Sequence, residues 1–212
     1  MDKREFQLET LVVGQLATNC YLLMDLSSRQ AVIIDPGDDA EYIAEYLERM
    51  RAEPIMILAT HGHFDHLLAA SFLQLTYKVP FLISLADKFL VERMVATAFH
   101  FLGIRIDPPP KITGKLTPGQ KMRCGNLTIG VVATPGHTPG SVSFALQEAK
   151  ILFVGDLLFA GGALGRTDFS YSQKTDLTKS LQKVFTYPPE TIIYPGHGAK
   201  TTIKDEIRYH KF

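Results

Sequence analysis

The segment THGHFDH, residues 60–66, carries three imidazoles and a carboxylate in one short stretch of chain. It follows directly on the apolar run PIMILA, residues 54–59, which predicts a buried strand. Imidazole is the commonest protein ligand for zinc and related ions, and a carboxylate among histidines is typical of a divalent metal site. The segment therefore predicts a metal centre at the end of this strand.

Three further turns carry residues of the same kind. His137 lies in the turn TPGHTPG and His197 in the turn YPGHG, and the apolar run ILFVG, residues 151–155, ends at Asp156. Each of these residues follows a predicted strand or lies in the turn after it. Ligands from distant parts of the chain can therefore converge on one edge of the fold.

These side chains can hold two metal ions. Residues two apart point to the same side of extended backbone, so His61 and His63 can reach one ion. Asp65 and His66 follow a turn at Phe64 and point toward a second ion. A carboxylate has two oxygens, so Asp156 can touch both ions and leave an open position for a shared water, as catalytic sites require. The remaining ligands, one for each ion, are His137 and His197.

The composition excludes several classes of function. Of the 212 residues, 46% are hydrophobic and 21% charged, as in ordinary soluble enzymes. There are 22 basic and 22 acidic residues, so the chain lacks the basic field that broad nucleic-acid or membrane-surface binding needs. No apolar run approaches the ~20 residues of a membrane helix. The charged residues 1–5 have no apolar core after them and do not form a signal peptide. We therefore expect a cytoplasmic enzyme with a small-molecule substrate.

The predicted elements come in two rounds of strands and helices. The first round has strands at 6–13, 20–26, 31–34, 54–59 and 81–84 and helices at 40–51, 67–75 and 87–101. The second has strands at 127–133, 142–146, 151–154 and 191–194 and a helix at 173–185. Residues 103–118 are rich in Pro and Gly, which predicts a long surface loop. The alternation predicts an α/β fold of two sheets packed face to face, with helices outside.

The same segments resemble the motifs of a known superfamily. THGHFDH is similar to the signature of the metallo-β-lactamase-fold hydrolases. DPG at 35–37, GH at 136–137, GD at 155–156 and GH at 196–197 match the other motifs of that superfamily in the same order. The resemblance implies an αββα sandwich of two mixed sheets, formed here by one domain over residues 1–212.

The resemblance also implies a role for each residue of the cluster. On this basis one ion is held by His61, His63 and His137, the second by Asp65, His66 and His197, and Asp156 bridges the two. Asp35 would support the ligands without binding an ion. Asp65 and Asp156 would also be catalytic, since Asp65 can orient the nucleophile. Zinc is the expected metal, and the same donors also accept iron or manganese.

Residues outside the cluster indicate the branch of the superfamily that the chain resembles. The segment GRTDF, residues 165–169, resembles the glyoxalase II group and also the persulfide dioxygenases. The turn YPGHG resembles the short bacterial glyoxalase II-like hydrolases. Because the chain ends at Phe212, we expect no C-terminal helical domain of the kind that carries glutathione-binding residues in full-length glyoxalase II. Gly198 and Ala199 stand where that family has a substrate-contacting Tyr.

The expected reaction is hydrolysis of a thioester such as S-lactoylglutathione or another 2-hydroxyacyl thiol. The alternative is a mononuclear Fe(II) persulfide dioxygenase, with His61, His137 and Asp156 as ligands. A nuclease or a lactonase of the same fold is a weaker alternative, and the neutral charge disfavours the nuclease. The ligand residues alone do not decide between hydrolase and dioxygenase, and the oligomeric state stays open.

Arg166 has two interpretations. It either contacts an anionic or amide-bearing substrate at the rim of the site, or it holds its own loop through backbone carbonyls or Asp168. Phe169, in the same loop, is the second candidate for substrate contact. Both residues follow the predicted ligand Asp156 by a short Gly-rich segment, which places their loop beside the metal centre.

Overall fold

Two six-stranded sheets form the body of the computed structural model, which describes residues 5–210. The first sheet contains, in spatial order, β1 (Phe6–Val13), β2 (Thr18–Asp25), β3 (Gln30–Ile34), β4 (Glu53–Leu58), β5 (Phe81–Ile83) and β6 (Ile112–Lys115). The second contains β12 (Thr201–Thr202), β11 (Ile192–Pro195), β10 (Ile151–Gly155), β9 (Val142–Leu146), β8 (Leu127–Ala133) and β7 (Lys121–Cys124). The prediction about a signal peptide falls almost wholly on residues outside this range.

Both sheets are mixed, as the αββα prediction requires. In the first sheet β1, β2 and β3 are antiparallel, whereas β3, β4, β5 and β6 run parallel. In the second, β10 and β11 are parallel and the other neighbours are antiparallel. The helices are α1 (Ala40–Met50), α2 (Ala70–Tyr77), α3 (Lys88–Leu102), α4 (Lys174–Val184) and α5 (Ile203–Glu206).

Three apolar layers hold the sandwich together. Strand β2 is buried along its whole length, because its alternate residues face two different layers. Leu22 and Met24 pack in the layer under α1, α2 and α3, whereas Tyr21 and Leu23 pack between the sheets. The third layer lies between the second sheet and α4, which contributes Leu177 among others. The predicted order of helix, sheet, sheet and helix is confirmed.

Two sequence-based predictions were wrong in detail. Residues 103–118 are not all loop, because 112–115 form β6, which pairs with β5 at the edge of the first sheet. Its pairing is reinforced where the Phe81 N–H donates to Thr113 Oγ1 at 2.9 Å. The helix predicted at 67–75 starts later, since α2 begins at Ala70 and Phe64–His66 form a single 3₁₀ turn before it. The short strands β7 and β12 were not predicted.

The ends of the parallel strands place the predicted ligands. Strands β3 and β4 run in one direction, so Asp35 and the segment 60–66 leave the first sheet at the same edge. Strands β8, β10 and β11 likewise share one direction, which brings the residues after them to a common edge of the second sheet. The two edges are joined where the Val142 N–H donates to the Thr60 carbonyl at 2.8 Å. No helix in residues 5–210 is long and apolar enough to cross a bilayer.

We predict that Phe144→Ala destabilises the protein far more than Phe99→Ala. Phe144 is fully buried between the sheets, so its removal leaves a cavity that costs about 3–5 kcal/mol. Phe99 is 58% exposed on α3, and we expect a change within about 0.5 kcal/mol. Urea unfolding of the two variants measures the difference. Equal losses would contradict the assignment of Phe144 to a buried apolar layer between the sheets.

Candidate metal centre

Three imidazoles converge on one point at the edge of the sandwich. The Nδ1 atom of His63 lies 3.1 Å from Nε2 of His61 and 3.0 Å from Nε2 of His137. His61 and His137 are buried, and His63 is partly buried. Three ring nitrogens at this spacing need a proton or a cation between them, because their lone pairs would otherwise repel.

The outer ring nitrogens of this group are already hydrogen-bonded. His61 Nδ1 lies 3.0 Å from Thr60 Oγ1, whose own proton goes to Asp35 Oδ2 at 2.6 Å, so the imidazole must donate there. His137 Nδ1 donates to the carbonyl of Arg166 at 2.8 Å. A proton on the outer nitrogen leaves the inner one as a bare lone pair, which is the tautomer a metal ligand needs.

A second group lies beside the first. Nε2 of His197 is 3.4 Å from Asp65 Oδ2, and Nε2 of His66 is 3.8 Å from the same oxygen. The outer nitrogen of His66 donates to Asp35 Oδ2 at 3.1 Å, and that of His197 to the Leu16 carbonyl at 3.0 Å. The inner Nε2 atoms of both rings therefore also present lone pairs to one point.

Asp156 lies between the two groups. Its Oδ2 is 3.6 Å from Nε2 of His137 and 3.8 Å from Nε2 of His197, and its Oδ1 is 3.5 Å from Nε2 of His66. Within residues 5–210, His66 Nε2 and Asp156 Oδ1 are buried without a hydrogen-bond partner. Buried polar atoms normally have a hydrogen-bond partner. Two such atoms that face each other without one fit the coordination of a cation. Asp156 therefore faces the imidazoles of both groups, and its role as a bridging ligand stays a prediction.

Asp35 organises the centre from behind. Its Oδ1 accepts the Thr60 N–H at 2.7 Å, and its Oδ2 accepts from the Thr60 hydroxyl and from His66. Both carboxylate oxygens are therefore used, and one residue orients a ring in each group. The supporting role of Asp35 stays a prediction.

Two glycines allow this close packing. A Cβ atom on Gly196 would lie 2.2 Å from Asp156 Oδ1 and 2.7 Å from Cε1 of His66. Gly155 has φ = +52°, and a Cβ atom there would lie 2.4 Å from Thr60 Oγ1. Any larger residue at either position would push the carboxylate or the Thr60 turn out of place, which explains glycine before Asp156 and before His197.

The protonation states suit a divalent cation. Burial, followed by repulsion from neighbouring imidazoles, lowers the pKa of His61 and lowers that of His63 to about 3. Burial by itself would raise the pKa of Asp156, but His66, His197 and His137 outweigh it and hold that pKa below its usual range. Deprotonated imidazoles and ionised carboxylates are the forms that bind metals.

The imidazole pKa values of the second group shift in the opposite direction. Burial lowers the pKa of His66, but Asp65 and Asp156 outweigh it and raise that pKa well above its usual value. Burial also lowers the pKa of His197, which the hydrogen bond to Asp65 and the charge of Asp156 raise overall. A cation in this group would therefore compete with protons for these two imidazoles.

An aromatic wall closes one side of the first group. Phe169 lies with its ring centroid 5.3 Å from that of His63, and it stacks on Tyr171 at 5.3 Å. The Tyr171 hydroxyl is 2.8 Å from Nε2 of His63, so it holds the outer nitrogen of that ring. Tyr171 was not singled out in the sequence, because no motif marks it. Its place two residues after Phe169 was the only available signal.

The contacts of Arg166 hold its own loop, as one of the two interpretations predicts, and its contact with substrate stays a prediction. Its guanidinium makes a bidentate pair with Asp168 at 2.9 and 2.7 Å and lies 4.6 Å above the Phe169 ring. The side chain is nevertheless 62% exposed, so its outer face is open to solvent at the rim of the centre. Arg166 also contributes its carbonyl to His137, which ties the loop to the first group.

Residues 13–197 match the model of the metallo-beta-lactamase superfamily. The chain belongs to the metallo-beta-lactamase superfamily. The match spans all seven predicted ligands, and the two mixed sheets with outer helices agree with the sandwich of this superfamily.

Relatives within the superfamily differ in their described activities. The hydroxyacylglutathione hydrolase GloC of Haemophilus influenzae is 35% identical over 97% of this chain and 97% of its own length. The human mitochondrial persulfide dioxygenase ETHE1 is 31% identical over 85% of this chain but only 63% of its own length. The crystal structure of TTHA1623 in a di-iron-bound form has 35% identity and a TM-score of 0.87, covering 96% of this chain and 99% of that one.

We predict that the His63 ring stays neutral in the metal-free protein from about pH 5 to 8. Its pKa is lowered from about 6.5 to about 3, so its ring resonances should stay constant over this range, while free imidazole in the same sample titrates. Because the folded-state pKa is depressed, the neutral ring favours the folded state above pH ~6.5 and loses that contribution as the pH falls toward about 3. An NMR titration midpoint near 6.5 would refute the prediction.

Proposed function

We propose that the chain is a dinuclear metallohydrolase that cleaves thioesters such as S-lactoylglutathione or other 2-hydroxyacyl thiols. The observation that carries the proposal is the pair of side-chain groups that share Asp156, with lone pairs aimed at two adjacent points. We assign His61, His63 and His137 to one ion, Asp65, His66 and His197 to the other, and Asp156 to both. Zinc fits these donors, and the di-iron form of TTHA1623 supports iron equally.

The proposed reaction requires few side chains outside the metal centre. The chemistry that two divalent ions supply when bound is Lewis acidity, which makes hydroxide available near neutral pH and polarises a carbonyl oxygen. Asp65, whose pKa is lowered overall because His66 and His197 outweigh its burial, is an acceptor that can orient the attacking water. A thiol of pKa about 8.5 leaves as thiolate without a general acid.

The rim residues are positioned to receive the substrate. Phe169 and Tyr171 form an apolar wall beside His63, against which an acyl group can pack. The outward face of Arg166 offers donors to an anionic or amide-bearing thiol, even while it is paired with Asp168. We therefore assign Arg166 and Phe169 to substrate binding at the rim.

The persulfide dioxygenase activity of ETHE1 is the second candidate. The similarity to ETHE1 favours it, as does the resemblance of the loop GRTDF to the persulfide dioxygenases, and His61, His137 and Asp156 would then hold a single Fe(II). A single-ion centre would give Asp65, His66 and His197 no metal to bind, although the outer nitrogens of both rings are hydrogen-bonded to Asp35 and Leu16 and their inner Nε2 atoms face a second position. The nearly full-length similarity to GloC also favours the hydrolase.

We predict that Asp156→Asn reduces activity far more than Asp35→Asn. Asp156 touches both ions in our assignment, whereas Asp35 only orients His66 and Thr60, and loss of such a supporting partner typically costs about 10–100-fold. The measurement is kcat/KM on S-lactoylglutathione for both variants, with bound metal quantified in each. Equal losses at equal metal content would show that Asp156 is not the bridging ligand.

We also predict weak discrimination between thiol carriers. Gly198 has no side chain, and a Cβ atom there would meet nothing within 4 Å, so this position supplies no grip on a glutathione arm. Contacts that are uniform between ground and transition state affect KM, so S-lactoylglutathione should show a high KM and little advantage over simpler S-lactoyl thiols.

Steady-state kinetics on the thioester series and an oxygen electrode with glutathione persulfide test both candidates together. Thioester turnover without oxygen uptake supports the hydrolase. Strong oxygen uptake on the persulfide with no thioester turnover would establish the dioxygenase instead and overturn the proposal.

A further inference from the structure

Asp87 is a fully buried carboxylate that the proposed reaction does not use. It stands directly before α3, in the N-cap position, but its side chain makes no capping hydrogen bond to that helix. An aspartate in this position usually caps the helix, because the first N–H groups have no other partner. The side chain of Asp87 points instead toward the turns that carry the first group of imidazoles.

The carboxylate joins two of these turns. Its Oδ2 accepts the Gly62 N–H at 2.9 Å and the Thr138 hydroxyl at 2.6 Å, and its Oδ1 accepts the Gly140 N–H at 2.7 Å. Gly62 lies between His61 and His63, and Thr138 directly follows His137. One side chain therefore connects the backbone on both sides of the three imidazoles, although the turns are far apart in sequence.

The glycines at both contacts are needed for this connection. A Cβ atom on Gly140 would lie 2.6 Å from Cγ of Asp87, and one on Gly62 would lie 2.9 Å from the Asp87 carbonyl oxygen. The backbone of each turn thus comes as close to Asp87 as glycine allows. Hydrogen bonds to an ionised acceptor are shorter and stronger than neutral ones, so a carboxylate fixes the distance between the turns more firmly than an amide would.

We propose that Asp87 is a positioning residue that sets the distance between the His61–His63 turn and the His137 turn, and so determines the affinity of the site formed by these three imidazoles. The inference rests on the metal centre of the proposed function, but not on its substrate. Asp87 acts on one ion only, because none of its hydrogen bonds reaches the turns of His66 or His197.

If Asp87 had a purely structural role, its loss would lower the stability of the fold without changing metal affinity. Asp25 provides the matched control for that possibility. Asp25 is also fully buried, and its Oδ2 accepts from the Ser27 hydroxyl and from the N–H and hydroxyl of Ser28. It lies at the end of β2 in a turn that carries no metal ligand. Asp25→Asn removes a buried carboxylate of the same kind without touching the centre.

The test compares Asp87→Asn and Asp25→Asn as full-length proteins. Unfolding of the metal-free forms in urea reports stability, and titration with Co²⁺ against a chelator, followed by the visible spectrum, reports the affinity of each site. We expect both variants to lose stability, but only Asp87→Asn to weaken one of the two Co²⁺ sites, by about 10–100-fold. Equal Co²⁺ affinities in the two variants, or equal weakening of both sites in Asp87→Asn, would overturn the proposal.

Thr138→Val keeps the proposal testable if Asp87→Asn does not fold. It removes one of the three donors to Asp87 and leaves the carboxylate in place, so we expect a smaller loss of affinity at the same site. Where both variants fold, the double variant should be no weaker than Asp87→Asn alone, since the two changes break the same connection. Additive losses would contradict a shared role.

These readouts are independent of the reaction. Failure of thioester hydrolysis would refute the proposed substrate. It would not change the measured affinities of the Co²⁺ sites, on which the proposal about Asp87 rests. Absence of any Co²⁺ binding in the unmodified protein would refute both the metal centre and the role of Asp87.

Discussion

The structure depends on bringing five histidines and two aspartates together at one edge of a sandwich. The inner nitrogens of His61, His63 and His137 lie close enough to repel, and the carboxylates of Asp65 and Asp156 outweigh burial and raise the pKa of His66. Such an arrangement is costly in a buried site unless a cation joins it. The fold holds each ring in place through the hydrogen bond that its outer nitrogen makes.

The architecture supplies these outer partners from backbone and buried side chains rather than from solvent. Carbonyls of Leu16 and Arg166 receive imidazole protons, and Asp35 serves both groups through Thr60 and His66. The ligands leave the carboxyl ends of similarly directed strands, where open sheets commonly bind ligands. Rigid strands and fully bonded turns therefore fix the donors before an ion arrives, which limits the reorganisation that binding requires.

Much of this was predictable from the sequence, for identifiable physical reasons. The apolar runs before residues 60 and 156 predict buried strands, and the ligands themselves occur in recognisable turns. The partners of the ligands were not predictable. Tyr171 and Asp87 act across distances in sequence that no local pattern encodes, and β6 was hidden in a Pro- and Gly-rich segment because its pairing is decided by the neighbouring strand β5.

The most direct measurement of the central claim is anomalous diffraction from crystals of the fully metal-loaded protein, with the metal content of the same sample determined independently. The account predicts two ions per chain, a few ångströms apart as in other two-metal sites, with Asp156 in contact with both. A single ion at full loading, with Asp65 and His66 turned away from it, would contradict the account.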